Sequence, residues 1–181
     1  MQYRLVERWR LVNLCFLLSL LLGPTAILAQ EFHVSQAGDT LTISAYGLTS
    51  DPFKFGASPI EHLMKLHPTT VRTKRVENVH VSNKVDTIFT LSFPSASFDV
   101  YKVESDMEII CGALVTSTRF ETSQGIRVGQ TKSEVQKLLA GYKVSRIPRF
   151  LVLGEFDAVQ YLLIEFRNDR VLSIFFSGYI D

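Results

Sequence analysis

Histidine and cysteine side chains are the first candidates for chemistry in this chain. They are His33, His62, His67, His80 and, beyond the N-terminal segment, Cys111. His62 and His67 lie on or beside one predicted helix, but metal-binding pairs on helices are usually four residues apart, and a spacing of five turns them to different faces. Glu61 adjoins His62 in the sequence, so their side chains diverge. We therefore favour a solvated helix flank over a metal site, and we expect no cofactor.

Catalytic motifs are absent from the sequence. It contains no nucleophile elbow, phosphate-binding loop, dinucleotide fingerprint or H-E-x-x-H pair. Cys111 lies between Ile110 and Gly112 within an apolar segment, which favours a buried, inert thiol over a reactive one. We therefore expect no enzymatic activity.

Two groups of residues suit binding. The first is basic and comprises Arg72, Lys74, Arg75, Arg146 and Arg149. On matching strands of an open sheet face they would form a basic strip for an acidic protein or a carboxylate ligand; ordinary solvent-facing positions on half-buried strands are the simpler alternative. The second group is Phe98 and Tyr101, which lie in an apparent insertion and are expected to form an exposed contact patch.

Residues 1–29 have the features of a signal peptide. Arginines precede the apolar stretch 11–22, Gly23 and Pro24 interrupt it, and Ala29 is the expected last residue of the leader. An uncleaved anchor over residues 11–29 is the alternative, which the Gly-Pro break disfavours. We expect a periplasmic or secreted protein that is not inserted in a membrane after leader removal.

The charge of the remaining chain is close to balanced. The full chain has 19 Lys and Arg and 18 Asp and Glu residues. Removal of residues 1–29 takes away three Arg and one Glu, which leaves 16 basic and 17 acidic side chains. Nucleic acids and anionic membrane surfaces usually select a clear basic excess, so neither is expected as a partner. One cysteine remains, so no disulfide within the chain is expected.

Local patterns predict hairpins and two short helices. Residues 32–46 alternate around a Gly-Asp turn, which predicts a hairpin. Ser58 with Glu61, and Thr131 with Glu134, have the spacing of capping boxes at the starts of two helices. Apolar segments with turn residues between them predict strands over most of the remaining chain.

The two predicted helix starts belong to an apparent duplication. Ser58 and Thr131 are 73 residues apart, as are Glu61 and Glu134, and strands follow both helices. The offset later shortens, which suggests an insertion of about ten residues at 94–103. We therefore predict an α+β fold in which two tandem helix-plus-antiparallel-strand repeats, about 40–118 and 119–181, form one sheet with two helices on one face. Residues 30–181 would form a single exported domain.

The segment 126–139, with its Gly turn and capped helix, resembles exported domains of the SmpA/OmlA (BamE) type, and the tandem arrangement resembles the β-lactamase-inhibitory protein fold. That resemblance implies a fold, and it implies no recognition residues because the shared motif is structural. Two departures from the pattern are the lack of a lipid-attachment Cys and of a Cys pair in each repeat.

Two functions fit these observations. The first is an exported, monomeric, non-enzymatic module that binds another exported or envelope protein through an open sheet face. The alternative is a small-ligand-binding or hydrolytic domain with a pocket between the repeats, using Glu61, His62 and His67. Convergence of these three side chains in a cleft would favour the alternative.

Overall fold

The structure is a computed structural model that describes residues 31–78, 81–105, 107–156 and 159–178. The predicted signal peptide, its anchor alternative and His80 lie outside these ranges. Residues 31–181 form one unit by themselves. No helix in the described ranges has the length and hydrophobicity needed to cross a membrane.

Extended chain dominates, because segments with alternating apolar side chains recur along the sequence. The strands in the described ranges are β1 (Phe32–Ala37), β2 (Thr40–Ala45), β3 (Thr70–Glu77), β4 (Val85–Phe93), β5 (Ala96–Lys102), β6 (Glu108–Val115), β7 (Phe150–Gly154), β8 (Tyr161–Arg167) and β9 (Arg170–Ser177). They form one sheet in the order β1-β2-β7-β8-β9-β6-β5-β4-β3. The predicted hairpin at residues 32–46 is confirmed as β1 and β2.

One face of this sheet carries the core, and we call it the core face. A row of cross-strand partners runs across it from β1 to β3, and its members are Val34, Ile43, Leu153, Leu162, Phe176, Ala113, Phe98, Leu91 and Val71. All are apolar, and those between β2 and β4 are buried. Side chains alternate between the two faces of a strand, so the neighbours of these residues point to the opposite face, which we call the open face.

Short helices and irregular chain complete the core. The helices in the described ranges are α1 (Pro59–Lys65) and α2 (Lys132–Leu138), and a 3-10 turn, Ala140–Tyr142, follows α2. They bury Leu63 and Val135 respectively. The irregular segments before, between and after the helices bury more, namely Leu48, Phe53, Phe120, Ile126, Val144 and Ile147. Loops therefore supply most of the layer that excludes water from the core.

The two predicted capping boxes have different outcomes. At α2 the box is present: the Thr131 hydroxyl accepts from the Glu134 amide at 3.2 Å, and the Glu134 carboxylate accepts from the Thr131 amide at 2.7 Å. At α1 the Ser58 side chain makes no cap hydrogen bond. Its place is taken by Glu108 of β6, whose Oε2 accepts from the Ile60 amide at 2.9 Å. The prediction at Ser58 is wrong because a carboxylate distant in sequence satisfies this helix end.

The predicted α+β architecture is wrong. Helix accounts for 12% and strand for 47% of the described residues, so the fold is mostly a single nine-stranded sheet rather than two helices on strands from tandem repeats. The sheet is also mixed, because β2 pairs in parallel with β7. The Phe150 amide donates to the Asp39 carbonyl at 2.9 Å and fixes the start of that pairing. The two matching capping motifs misled the prediction, since a seven-residue helix covers little of a sheet this wide.

Candidate functional site: binding surfaces on the sheet and beside α1

The predicted basic residues occupy two distant parts of the fold. Arg72, Lys74 and Arg75 lie on β3, an edge strand, whereas Arg146 and Arg149 lie in the loop before β7. β3 and β7 are six strand spacings apart in the sheet, which amounts to about 29 Å. The prediction of one continuous basic strip is therefore wrong.

The three basic residues of β3 also do not share one face, because side chains alternate between the two faces of a strand. Arg72 pairs with Thr90 and Lys74 pairs with Ile88, both on the open face, whereas Arg75 pairs with Thr87 on the core side of β4. All three basic side chains are exposed, as the simpler interpretation expected.

Arg149 is held by its neighbours. Its Nη2 donates to Glu165 Oε1 at 2.9 Å, and its guanidinium carbon lies 4.9 Å from the centre of the Phe150 ring. Glu165 and Phe150 are cross-strand partners. Arg149 is therefore already engaged in a local ion pair with Glu165. Arg146 is exposed in the same loop.

Phe98 and Tyr101 are buried, so the prediction that they form an exposed patch is wrong. Both belong to β5, which pairs with β4 on one side and with β6 on the other. Phe98 is fully buried and packs edge-to-face against Phe53 and Phe120, with ring centres 5.2 and 4.9 Å apart. The segment 94–103, which the repeat alignment predicts to be an insertion, supplies an internal strand of the sheet.

Tyr101 takes part in a buried polar network around Asp86. The Asp86 carboxylate is 1% exposed and accepts hydrogen bonds from the Tyr101 hydroxyl, from Asn78 Nδ2 at 2.7 Å and from the Glu104 amide at 3.1 Å. The Tyr101 hydroxyl is the main reason that the pKa of Asp86 lies below its usual value. In return, the hydrogen bond to Asp86 raises the pKa of Tyr101 to about 12. The network ties β4 and β5 to their turns, which is a structural task.

The histidines do not assemble a reactive site in the described ranges. Glu61 forms an ion pair with Lys65, at 2.6 Å, and the hydrogen bond from Lys65 lowers the pKa of the exposed Glu61 carboxyl. His62 stacks on Phe55 with ring centres 4.8 Å apart. His67 has a positive φ of 55° just after the helix. Among the described residues, no three His, Cys, Asp or Glu side chains lie close enough together to hold a metal ion.

Cys111 is half-buried at a bulge between β5 and β6. Its Sγ lies 3.3 Å from the Asp99 carbonyl oxygen and donates to it. Burial, and after it the Asp99 carboxylate, raises the pKa of the thiol to about 11. The raised pKa disfavours the thiolate, and the inert role of Cys111 stays a prediction.

An apolar row on the open face is a feature that the sequence analysis did not single out. Its members are cross-strand partners on the four central strands β6, β9, β8 and β7, in the order Leu114, Phe175, Leu163 and Val152. Leu114 is 50% exposed and Phe175 is 39% exposed. Leu163 and Val152 are partly exposed. Period-two alternation in these strands was the available signal, but the strand order was needed to join the residues into one row.

A second feature is a concavity of about 340 Å³ beside α1, which we call the arginine pocket. Its base is aromatic, because Phe53 and Phe120 are buried and Phe55 is half-buried. The exposed side chains at its mouth are His62, Arg119, Glu121 and Arg127, and Leu66 completes the wall.

A second depression, of about 400 Å³, is also lined by Arg127. Its charged groups have local partners: Arg170 donates to the Gly129 carbonyl at 2.7 Å, and Glu134 belongs to the α2 capping box.

Comparison of the chain with protein-family models, with curated proteins and with solved structures gives no significant match. The resemblance to the SmpA/OmlA type accordingly stays a prediction. The candidate surfaces stand on their geometry alone.

Proposed function

We propose that the protein is an exported, non-enzymatic module that binds another exported or envelope protein on the open face of its sheet. The observation that carries this proposal is the apolar row from Leu114 to Val152. The predicted leader supports export. In the described ranges, Glu61, His62 and His67 do not form a cluster that could hold a metal ion, so this group of residues gives the hydrolytic alternative no support.

The apolar row has the composition of a protein-binding centre. It crosses three strand spacings, about 14 Å. Tyr161 lies 6.2 Å from Phe175, between ring centres, and adds a second aromatic ring. Hydroxyl side chains continue the same row beyond both ends, at Ser97 and Thr42. An aromatic and aliphatic centre with a polar rim is the usual anatomy of a specific protein interface.

The surroundings of the row favour a protein over a lipid surface. Arg149 and Glu165 neutralise each other near its β7 end. Asp99, on the neighbouring open-face row, accepts from the Thr90 hydroxyl at 2.6 Å. An anionic membrane would select an excess of basic residues around the apolar centre, which these pairs do not provide.

Site-specific photocrosslinking tests the proposal. A photoreactive phenylalanine analogue replaces Phe175 in one variant and Leu138 in a matched control. Leu138 is also apolar and 46% exposed, but it lies on α2. The proposal expects a discrete crosslinked protein from the envelope fraction of the source cells at position 175 and none at position 138.

A second variant, Leu114→Lys, measures the contribution of the row itself. Leu114 is half-exposed, so the lysine remains solvated and the fold is expected to persist. The crosslink at position 175 should fall at least tenfold in this background, while Leu138→Lys leaves it unchanged. Capture that is equal at both positions, or a crosslink that survives Leu114→Lys in a folded protein, would overturn the proposal.

A further inference from the structure

We propose that the arginine pocket binds a small aryl carboxylate. This site is separate from the open-face row. Its residues come from α1 and the segments on either side of it, and from the segment after β6, whereas the row lies on β6, β9, β8 and β7.

The size and base of the pocket suit one aromatic ring. Pockets for small molecules are usually about 300–1,000 Å³ and mainly apolar, and this one is about 340 Å³. Phe53 and Phe55 are stacked with ring centres 5.8 Å apart, and both pack edge-to-face against Phe98. The base is therefore held in place by the core, and a further ring is able to join the same edge-to-face arrangement.

Arg119 is positioned to receive the carboxylate. Its Nη2 donates to the Leu66 carbonyl at 2.9 Å, and its guanidinium carbon lies 5.5 and 5.7 Å from the ring centres of Phe93 and Phe120. These contacts fix the orientation of the planar guanidinium. A guanidinium has five N–H donors, and the carbonyl of Leu66 occupies one of them, so the planar group keeps donors for a bidentate carboxylate.

The charge balance of the pocket favours a monoanion. Arg127 also lines the pocket, and its Nε lies 3.2 Å from Glu121 Oε2. Arg119, Arg127 and Glu121 together carry one net positive charge. One carboxylate neutralises this charge. A cation would be repelled by the two guanidinium groups, and the further charges of a polyanion would be repelled by the Glu121 carboxylate.

Titration with indole-3-acetate, followed by its own fluorescence, tests the proposal. The titrated protein comprises residues 31–181, which form one unit. This part of the chain contains no Trp, since the only one is Trp9, so indole emission reports the ligand alone. Saturable binding at one site is expected. Indole-3-acetamide, which has the same shape without the charge, should bind at least tenfold more weakly.

Two variants assign the binding to the pocket. Arg119→Gln and Arg127→Gln each remove one exposed guanidinium at the mouth, and both should weaken indole-3-acetate at least tenfold, with little change for the acetamide. Arg146→Gln, at an exposed arginine outside the pocket, serves as the matched control and should leave both affinities unchanged. Circular dichroism verifies that each variant is folded.

Three results would overturn the inference: no saturable binding of indole-3-acetate at millimolar concentration, equal affinity for the acid and the amide, or full affinity in both arginine variants. None of them affects the crosslinking test of the open face, because Leu114 and Phe175 lie outside the pocket.

Discussion

Asp86 is the buried carboxylate on which the turn between β3 and β4 depends. Three hydrogen-bond donors surround it, and the Asn78 side chain that supplies one of them also accepts from the Val81 amide at 2.8 Å. The exposed ion pair between Lys84 and Glu104, at 2.9 Å, lies nearby and contributes little because it is solvated. The Asp86 carboxylate therefore accepts hydrogen bonds from Asn78, which follows β3, and from the Glu104 amide, which follows β5, and these donors need no water partner.

Removing the Tyr101 hydroxyl should destabilise the protein without changing its fold. Tyr101→Phe leaves the buried carboxylate with one donor fewer, at a cost of about 1 kcal/mol. Asp86→Asn should also lower the denaturant midpoint, because the charged acceptor is lost. Guanidinium unfolding followed by circular dichroism measures both changes. Midpoints equal to that of the unchanged protein would show that the network contributes nothing.

The same carboxylate predicts an acid sensitivity. The folded-state pKa of Asp86 is lowered, so its stabilising effect is present above the unfolded pKa of about 3.9 and is lost as the pH falls through the folded-state pKa. The stability difference between the unchanged protein and Asp86→Asn should therefore be largest near neutral pH and should shrink below about pH 4. Unfolding midpoints across this range test the sign, and a difference that grows on acidification would contradict it.

Cys111 should resist thiol reagents. Its pKa of about 11 leaves very little thiolate near pH 8, and burial restricts access further. Reaction with iodoacetamide should be at least about tenfold slower in the folded protein than in urea, since an unfolded thiol titrates near its ordinary pKa of about 8.5. Mass spectrometry of timed samples follows the reaction. Equal rates in the two states would contradict the burial.

Single residues were only partly predictable. The protonated thiol of Cys111 followed from its apolar sequence neighbours. Ala96, Phe98 and Val100 alternate as the residues of a buried strand do. The repeat alignment nevertheless assigned their segment to an insertion, and the prediction that Phe98 is exposed followed from that assignment. The bond between Tyr101 and Asp86 depends on the register of β4 against β5, which no local pattern specifies.

At the scale of elements, the two helices begin in different ways. α2 is capped by residues of its own sequence, whereas α1 depends on Glu108 from β6. Sequence spacing identified both starting positions, and it identified the true capping residues only for α2. A carboxylate that arrives from a strand cannot be recognised before the packing of that strand is known.

Substitution at the caps should separate these cases. Thr131→Ala should cost about 1 kcal/mol, because the Glu134 amide loses its acceptor. Glu108→Ala should lower the free energy of unfolding by a similar amount, about 1 kcal/mol, because the Ile60 amide loses its hydrogen-bond acceptor. Ser58→Ala, the matched control, should lie within about 0.5 kcal/mol of the unchanged protein, because its side chain makes no cap hydrogen bond. Denaturant midpoints measure all three, and a larger loss at Ser58 than at Glu108 would contradict the structure.

At the scale of the molecule, the core extends across the whole sheet. Ile43 on β2 and Leu91 on β4 are both fully buried and belong to one hydrophobic cluster, although they lie near opposite ends of the sheet. Parallel pairing of β2 with β7 joins residues more than one hundred positions apart. Local periodicity predicted strands, but nothing local predicts which strands become neighbours, so the mixed sheet could not be foreseen.

A shared core predicts cooperative unfolding. Ile43→Ala and Leu91→Ala should each destabilise the protein by about 2–5 kcal/mol, because each leaves a cavity in the same core. Both substitutions should shift one common transition, with circular dichroism and tyrosine fluorescence giving the same midpoint. Two separate transitions, each sensitive to only one substitution, would show that the halves of the sheet unfold independently.

The two outer strands also govern how copies of this chain meet. β1 and β3 each pair on one side only within the described sheet, so β1 of one copy and β3 of the next are geometrically able to join and extend into an open fibre. β3 presents Arg72, Lys74 and Arg75, and β1 has no carboxylate to attract them. Growth of such a fibre would therefore bring three cations next to a strand that has no counter-charge for them. We therefore expect substitutions of these three basic residues to change the solubility of the protein more than its fold.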